Sequence, residues 1–326
     1  WECQRSCGFL PSCFSNGRSL CLTFTSSVGL LSLAVKFTGT GSMTSHIIDI
    51  HPHIVSGDSQ KYPVSPILGR RSDWSAQRPK TFEELCAGMD EAGISKACIV
   101  HSSTTYGFDN SYLADMVEGH TSRFAGVFSI DLTSLDAVEK VRYWVGRGLS
   151  GIRIYTGGST FDQQSNLLAD PRTFFAWDAA IELDITITVQ LRPEGLPQLI
   201  DMIERFPRAR ILIDNLLRPN YAEGAPYLDS EHVFCLARYP NVHMKIITNS
   251  IRGSYMGRGS PESFFPRLVE AFGARRIAWG SNYPASEGTL SELLQEAQSA
   301  LSCLSPQDLE WIFARTALNL FPTLRD

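Results

Sequence analysis

Ile47-Ile48-Asp49-Ile50-His51-Pro52-His53 closes the first apolar run after residue 42 with one acid and two imidazoles. Side chains alternate across a strand, so Asp49, His51 and His53 are expected on one face, with the carboxyl behind the imidazoles. Two histidines one residue apart at the end of a first strand open a site. A catalytic divalent metal takes at least three protein ligands, and the remainder of the chain offers no clear third.

Seven further β-branched runs follow: Lys96–Val100, Phe124–Ile130, Gly151–Tyr155, Thr186–Gln190, Arg210–Asp214, Val242–Ile247 and Ile277–Gly280. Amphipathic stretches separate them, among them Thr81–Ala92, Leu135–Gly146, Pro171–Leu183, Leu196–Phe206, Pro261–Phe272 and Thr289–Leu301. Eight strand-then-helix units in about 280 residues predict an α/β fold, a single-domain (β/α)8 TIM-like barrel over residues 43–326. An open doubly wound sheet is the alternative, but no glycine-rich phosphate turn follows the first strand.

A barrel requires inward and outward residues to alternate and functional groups to gather at C-terminal strand ends. The fourth run sets Arg153 and Tyr155 against Ile152 and Ile154, and the fifth sets Thr186, Thr188 and Gln190 against Ile187 and Val189. The seventh sets His243 and Lys245 against Val242, Met244 and Ile246, and the eighth aligns Gly280 with Asn282. The polar set converges at one mouth. Ser56 to Lys80, rich in Pro, Gly and Arg and carrying Tyr62 and Trp74, has no period and is read as a lid or pocket wall.

The net charge of −5 is spread over interspersed acids and bases, so nothing points to nucleic acid. The longest apolar run, near Val28 to Val35, falls well short of the roughly 20 residues that span a bilayer. No nucleic-acid or membrane partner is expected. Residues 1–42 hold Cys3, Cys7, Cys13 and Cys21, many serines and a single acid, Glu2. They are read as a non-native, untranslated or disordered leader ahead of Met43, with a targeting segment as the rival. Cys86, Cys98, Cys235 and Cys303 read as buried free thiols in a reducing compartment, and the expected location is cytoplasmic.

Several motifs together carry a family resemblance over Ile47 to Pro322. They are Asp49 to His53, Tyr106-Gly107-Phe108-Asp109-Asn110-Ser111-Tyr112, Gly151-Ile152-Arg153-Ile154, Ile213-Asp214-Asn215-Leu216 with Arg218-Pro219, Trp279 to Pro284, and a closing helix from Phe313 to Phe321. In these the chain resembles the amidohydrolase-related family of the amidohydrolase superfamily, on the branch of 2-pyrone-4,6-dicarboxylate lactonase and 4-sulfomuconolactone hydrolase. The resemblance implies histidines ending strands five and six and an aspartate ending strand eight in metal-dependent members. This chain has Gln190, Asn215 and Asn282 there. No cofactor is therefore expected, and any metal would be a weakly held divalent ion at His51 and His53, with His101 as a third nitrogen.

In the metal-free lactonase of the resembled family, the strand-eight acid activates water, and Asn282 cannot accept that proton. His51, His53 and His101 are the candidate bases, since imidazole titrates near neutrality, with Asp49 as an orienting acid. Arg153, Arg192, Arg218 and Lys245 are read as recognising an anionic substrate, and Ser102, Ser103, Tyr106 and Tyr155 as donors to a developing oxyanion. Tyr62, Trp74, Gln190 and Asn215 complete the expected pocket, with Asn282 at its catalytic end. His120 and His232 read as solvated, and His243 as structural.

The expected activity is metal-independent hydrolysis of a lactone on a small carboxylated ring. The alternatives are a decarboxylase, isomerase or cyclase acting on an anionic ring, and a pseudoenzyme that only binds. The reading is compatible with a homodimer.

Overall fold

The computed structural model describes residues 46–158 and 160–325, and the reading of residues 1–42 as a leader lies outside them. Eight parallel strands pair in chain order: β1 (Ile47–Asp49), β2 (Ile94–Val100), β3 (Phe124–Phe128), β4 (Gly151–Tyr155), β5 (Thr186–Gln190), β6 (Ile211–Ile213), β7 (Val242–Ile247) and β8 (Ile277–Gly280). Ile50 N–H donates to the Trp279 carbonyl at 3.3 Å, bringing β8 back against β1. Helices intervene between strands, and the architecture is a (β/α)8 barrel.

Local chemistry sets the helix bounds. Thr81 caps the helix Phe82–Ala92 in a reciprocal pair with Glu84, and Gly93 ends it at φ 70°, a left-handed position that glycine takes without strain. The apolar stripe of that helix, Phe82, Leu85 and Met89, packs onto the outer face of the sheet. Thr289 and Glu292 repeat the same cap for Leu290–Leu301.

The two sheet faces bury different sets. Ile152, Ile154, Ile187 and Val189 join the core beneath the helices, whereas Ile48, Ile50, Cys98, Val100, Val127 and Leu212 fill the barrel. Leu320, Phe321 and Leu324 from the C-terminal segment enter this second cluster. Each such side chain stabilises the fold by about 1.5–3 kcal/mol. Polar groups are left for the opposite end, where the strands point their C-termini.

Three expectations need correction. β6 stops at Ile213 because Asn215, Leu216, Leu217 and Arg218 all take positive φ, at 51°, 51°, 58° and 54°. Four successive left-handed residues cost about 1–2 kcal/mol each, and burial of Leu216 and Leu217 holds them there. Of the four cysteines in the barrel, only Cys98 is buried, while Cys86 and Cys235 are half-buried and Cys303 is exposed. His232 is half-buried rather than solvated, and its Nε2 donates to the Leu217 carbonyl inside the left-handed turn. Among the described residues no helix is long and apolar enough to cross a membrane.

Candidate active site

A cavity of about 630 Å³ opens at the C-terminal strand ends. β1 and its extension supply His51 and His53, the end of β2 supplies His101 and Ser103, β4 supplies Arg153 and Tyr155, and β5 supplies Gln190. Asn215 and Arg218 come from the left-handed turn after β6, Asn282 from beyond β8, and Trp74 from the long first loop. Lys245 of β7 is fully buried and touches the cavity-lining groups from below. His120 and His243 lie outside the cavity.

The backbone of His51 is fixed first. Strand pairing ends at Asp49 and the chain bends at Ile50, so simple alternation does not carry through to His53. Asp49 therefore does not stand behind an imidazole. Its Oδ1 accepts the backbone N–H of His51 at 3.0 Å and of Ser281 at 2.8 Å, tying the end of β1 to the end of β8. Gly280 makes the approach feasible, since a Cβ there would lie 2.5 Å from the His51 Cβ. Burial outweighs the bonds Asp49 accepts and raises its pKa.

The imidazoles are held neutral. His53 Nδ1 donates to the Val100 carbonyl at 2.7 Å, which leaves Nε2 as a bare acceptor. Burial and the nearby Arg153 charge push its pKa down to about 3. His101 Nε2 donates to the Gly107 carbonyl at 3.0 Å, and burial lowers its pKa to about 4. His51 stands edge-on to His53, with ring centroids 5.0 Å apart, and burial with the Lys245 charge lowers its pKa strongly.

Below them lies a charge cluster around Asp214. Arg153 reaches Asp214 Oδ2 through Nε at 2.9 Å and Nη2 at 2.8 Å, and Lys245 Nζ sits 2.7 Å from Oδ1. Opposite charge holds that last pair. Burial alone would raise the Asp214 pKa, but the two cations outweigh it and keep the carboxylate ionised. Asp214 is a site residue that the motif Ile213-Asp214-Asn215-Leu216 carries without marking it as one. Continuing the alternation from Leu212 would have found it.

The remaining expectations divide. Tyr62 lies outside the cavity and donates to Asp115 at 2.6 Å. Tyr106 also lies outside, its hydroxyl accepting the Ser56 N–H at 2.7 Å. Arg192 turns to the Phe161 carbonyl at 2.7 Å and does not line the cavity. Arg153 and Lys245 are both engaged by Asp214 rather than free for an anion. Ser102 and Ser103 line the wall while donating to Ile54 O and Ser129 Oγ, each at 3.0 Å. Asn282 Nδ2 donates to Ser286 Oγ at 3.0 Å, and Asn215 Oδ1 accepts from Ser250 at 2.9 Å. Asn249, Tyr221 and Met256 also line the cavity, and no sequence signal marked them.

The sequence model describing an amidohydrolase matches residues 48–323. The chain belongs to the amidohydrolase family. It is thus an enzyme of that superfamily, built on the family's barrel. The L-fucono-1,5-lactonase of Burkholderia ambifaria is 31% identical over 213 residues, covering 64% of this chain and 70% of that protein. Two solved structures share the fold at 19% identity. A Pseudomonas putida protein assigned as a 2-pyrone-4,6-dicarboxylic acid hydrolase superposes with a TM-score of 0.69 over 86% of this chain and 99% of its own. A Burkholderia multivorans amidohydrolase with bound zinc gives 0.68 over 85% and 99%.

That zinc makes the donor set of this amidohydrolase worth testing. Among the described residues no three His, Cys, Asp or Glu side chains are grouped to hold an ion. His51 Nδ1 is met by the Lys245 ammonium, Asp214 is engaged by two cations, and amides stand at 190, 215 and 282. These residues do not fit a catalytic divalent ion.

Proposed function

We propose that this amidohydrolase opens the lactone ring of a small anionic compound by direct attack of water, using His53 as the general base and no metal ion. The bare Nε2 of His53 at the cavity wall carries the reading. With Nδ1 fixed on Val100, Nε2 accepts the proton of a water attacking the lactone carbonyl carbon. The tetrahedral intermediate then collapses, the bond from carbonyl carbon to ring oxygen breaks, and the protonated imidazole returns its proton to the departing oxygen. His101 offers a bare Nδ1, but His53 is the ring that adjoins His51 and the charged floor.

Recognition of the substrate's acid is assigned to Arg218. Arg218 lines the cavity, donates from Nη2 to the Gly157 carbonyl at 2.6 Å and makes no salt bridge among those found in the described residues, and burial together with neighbouring Arg192 lowers its pKa. Such a cation gains from a bound carboxylate. The relative's lactonase activity supports the reaction class, and the unoccupied Nε2 of His53 at the cavity wall supports the base.

A panel of five- and six-membered lactones, with and without a carboxylate, tests the reading by acid release in a pH-stat. Ring opening of acidic lactones, unchanged by chelator, is the expected result. Release of carbon dioxide, or loss on chelation with recovery on adding an ion, would overturn it.

A further inference from the structure

Lys245 takes no part in the steps above, yet its side chain is fully buried beneath the cavity. Lysine is almost never sealed from water without a reason to be there. The groups around its ammonium are Asp214 from the end of β6, His51 and Asp49 from β1 and its extension, Arg153 from β4 and Cys98 from β2. Asp214 is shared between Arg153 and Lys245, and the Lys245 ammonium stands directly beside the His51 ring.

An ammonium only donates. Lys245 Nζ lies 3.1 Å from His51 Nδ1, so that nitrogen accepts and the imidazole proton resides on Nε2. Nε2 itself has no protein partner among the described residues, and the ring lines the cavity beside His53. A donor whose far nitrogen is bound to a cation is a stronger donor, because the positive charge draws electron density from the ring. The two histidines then differ in kind. His53 offers an acceptor and His51 a donor, side by side.

We propose that Lys245 is a positioning residue that fixes His51 as an Nε2–H donor to the lactone carbonyl oxygen, so that the Lys245–His51 pair stabilises the oxyanion formed when water adds. The inference rests on the lactonase reading. No proton moves along this arm: the oxyanion accepts the His51 hydrogen bond while it exists and releases it when the carbonyl reforms. Positive charge reaches the developing oxyanion from the chain itself, at the point where the donor set fails to fit a metal. Oxyanion stabilisation of this kind is often the largest single contribution to acyl-transfer catalysis.

The test reads the tautomer and the kinetics separately. Imidazole ¹⁵N shifts of His51 are measured in the free wild-type enzyme, in Lys245→Met, where Asp214 keeps its pair with Arg153, and in the double variant Lys245→Met with Asp214→Asn, whose amide oxygen still accepts from Arg153 and which keeps the experiment readable if the single variant fails to fold. The expected result is one Nε2–H tautomer in the wild type and a mixture in the variants. Turnover of an acidic lactone should fall, but by less than the roughly 10²–10³-fold that follows outright removal of an oxyanion donor, because part of the population keeps Nε2–H, and KM should stay within threefold. An Nδ1–H tautomer in the wild type, or an unchanged tautomer and turnover in the double variant, overturns the proposal. A wild type that opens no lactone overturns the proposed function and the oxyanion role together, whereas a failed tautomer result in an active lactonase overturns only the role of Lys245.

Discussion

Trp74 lies nearly flat against His53, with ring centroids 5.2 Å apart and planes 25° apart. The indole comes from the helix Asp73–Gln77 inside the long loop after β1, so that loop contributes a wall directly to the proposed base. Stacking of this kind is worth about 0.5–1.5 kcal/mol and keeps water off one face of the imidazole. Trp74→Ala should therefore raise the His53 pKa toward its ordinary value and move the acid limb of kcat/KM upward. A pH–rate profile identical to wild type would show that the indole does not shield the base.

Buried neutral histidines give the enzyme a particular pH dependence. His53 near 3 and His101 near 4 stay uncharged in the folded state far below 6.5, whereas in the unfolded chain both take up protons below 6.5. Between 6.5 and about 4 the unfolded state binds more protons, so stability rises with pH there and is fully present above 6.5. Urea midpoints should fall steadily from pH 7 to pH 4.5, while kcat/KM shows no limb near 6.5. A midpoint constant across that range would contradict the burial of these rings.

Asp49→Ala leaves two buried backbone N–H groups, those of His51 and Ser281, without their acceptor. Each unsatisfied group costs about 1–3 kcal/mol, so the variant should lose several kcal/mol in chemical denaturation. Turnover should fall as well, because the His51 backbone loses its tie to β8. An unchanged unfolding free energy would show that this junction is held by other contacts.

Asn282 occupies left-handed space at φ 58°, a position Asp tolerates about as well as Asn. In Asn282→Asp the Ser286 hydroxyl can turn to donate where it now accepts. The variant should melt within a few degrees of wild type and hydrolyse at least as fast, since a carboxylate beside the cavity adds a second acceptor for a water proton. Loss of most turnover in a well-folded variant would argue against hydrolysis.

Arg218→Gln should weaken binding of acidic lactones by about 1.5–3 kcal/mol, the usual worth of a hydrogen bond to a charged group. Methyl esters of the same compounds should bind as before. Calorimetry showing equal losses for acid and ester would remove Arg218 from carboxylate recognition.

The barrel was legible because strand period and apolar content report directly on burial. Gly151–Tyr155 and Thr186–Gln190 bear Arg153, Tyr155 and Gln190 where alternation puts them, on the cavity side. Asp49 was misjudged because alternation holds only while the strand lasts, and pairing ends at Asp49 itself. Tyr62 and Arg192 were misplaced for a different reason. Both lie in loops, whose direction depends on partners such as Asp115 and the Phe161 carbonyl that no local pattern announces. Asp214 marks the opposite failure. A carboxylate at the inward end of a strand was in plain view, and its importance emerged only when Arg153 and Lys245 were seen to converge on it.

The junction at Asp49 also dictates an order of events during synthesis. Ser281, whose N–H completes it, is added 232 residues after Asp49, on the order of tens of seconds at ribosomal speed. Until then the nascent chain carries both histidines without the last strand's hold on the end of the first. A fragment cut anywhere between His53 and Ser281 keeps the histidine pair in its sequence and lacks the junction that sets it in place.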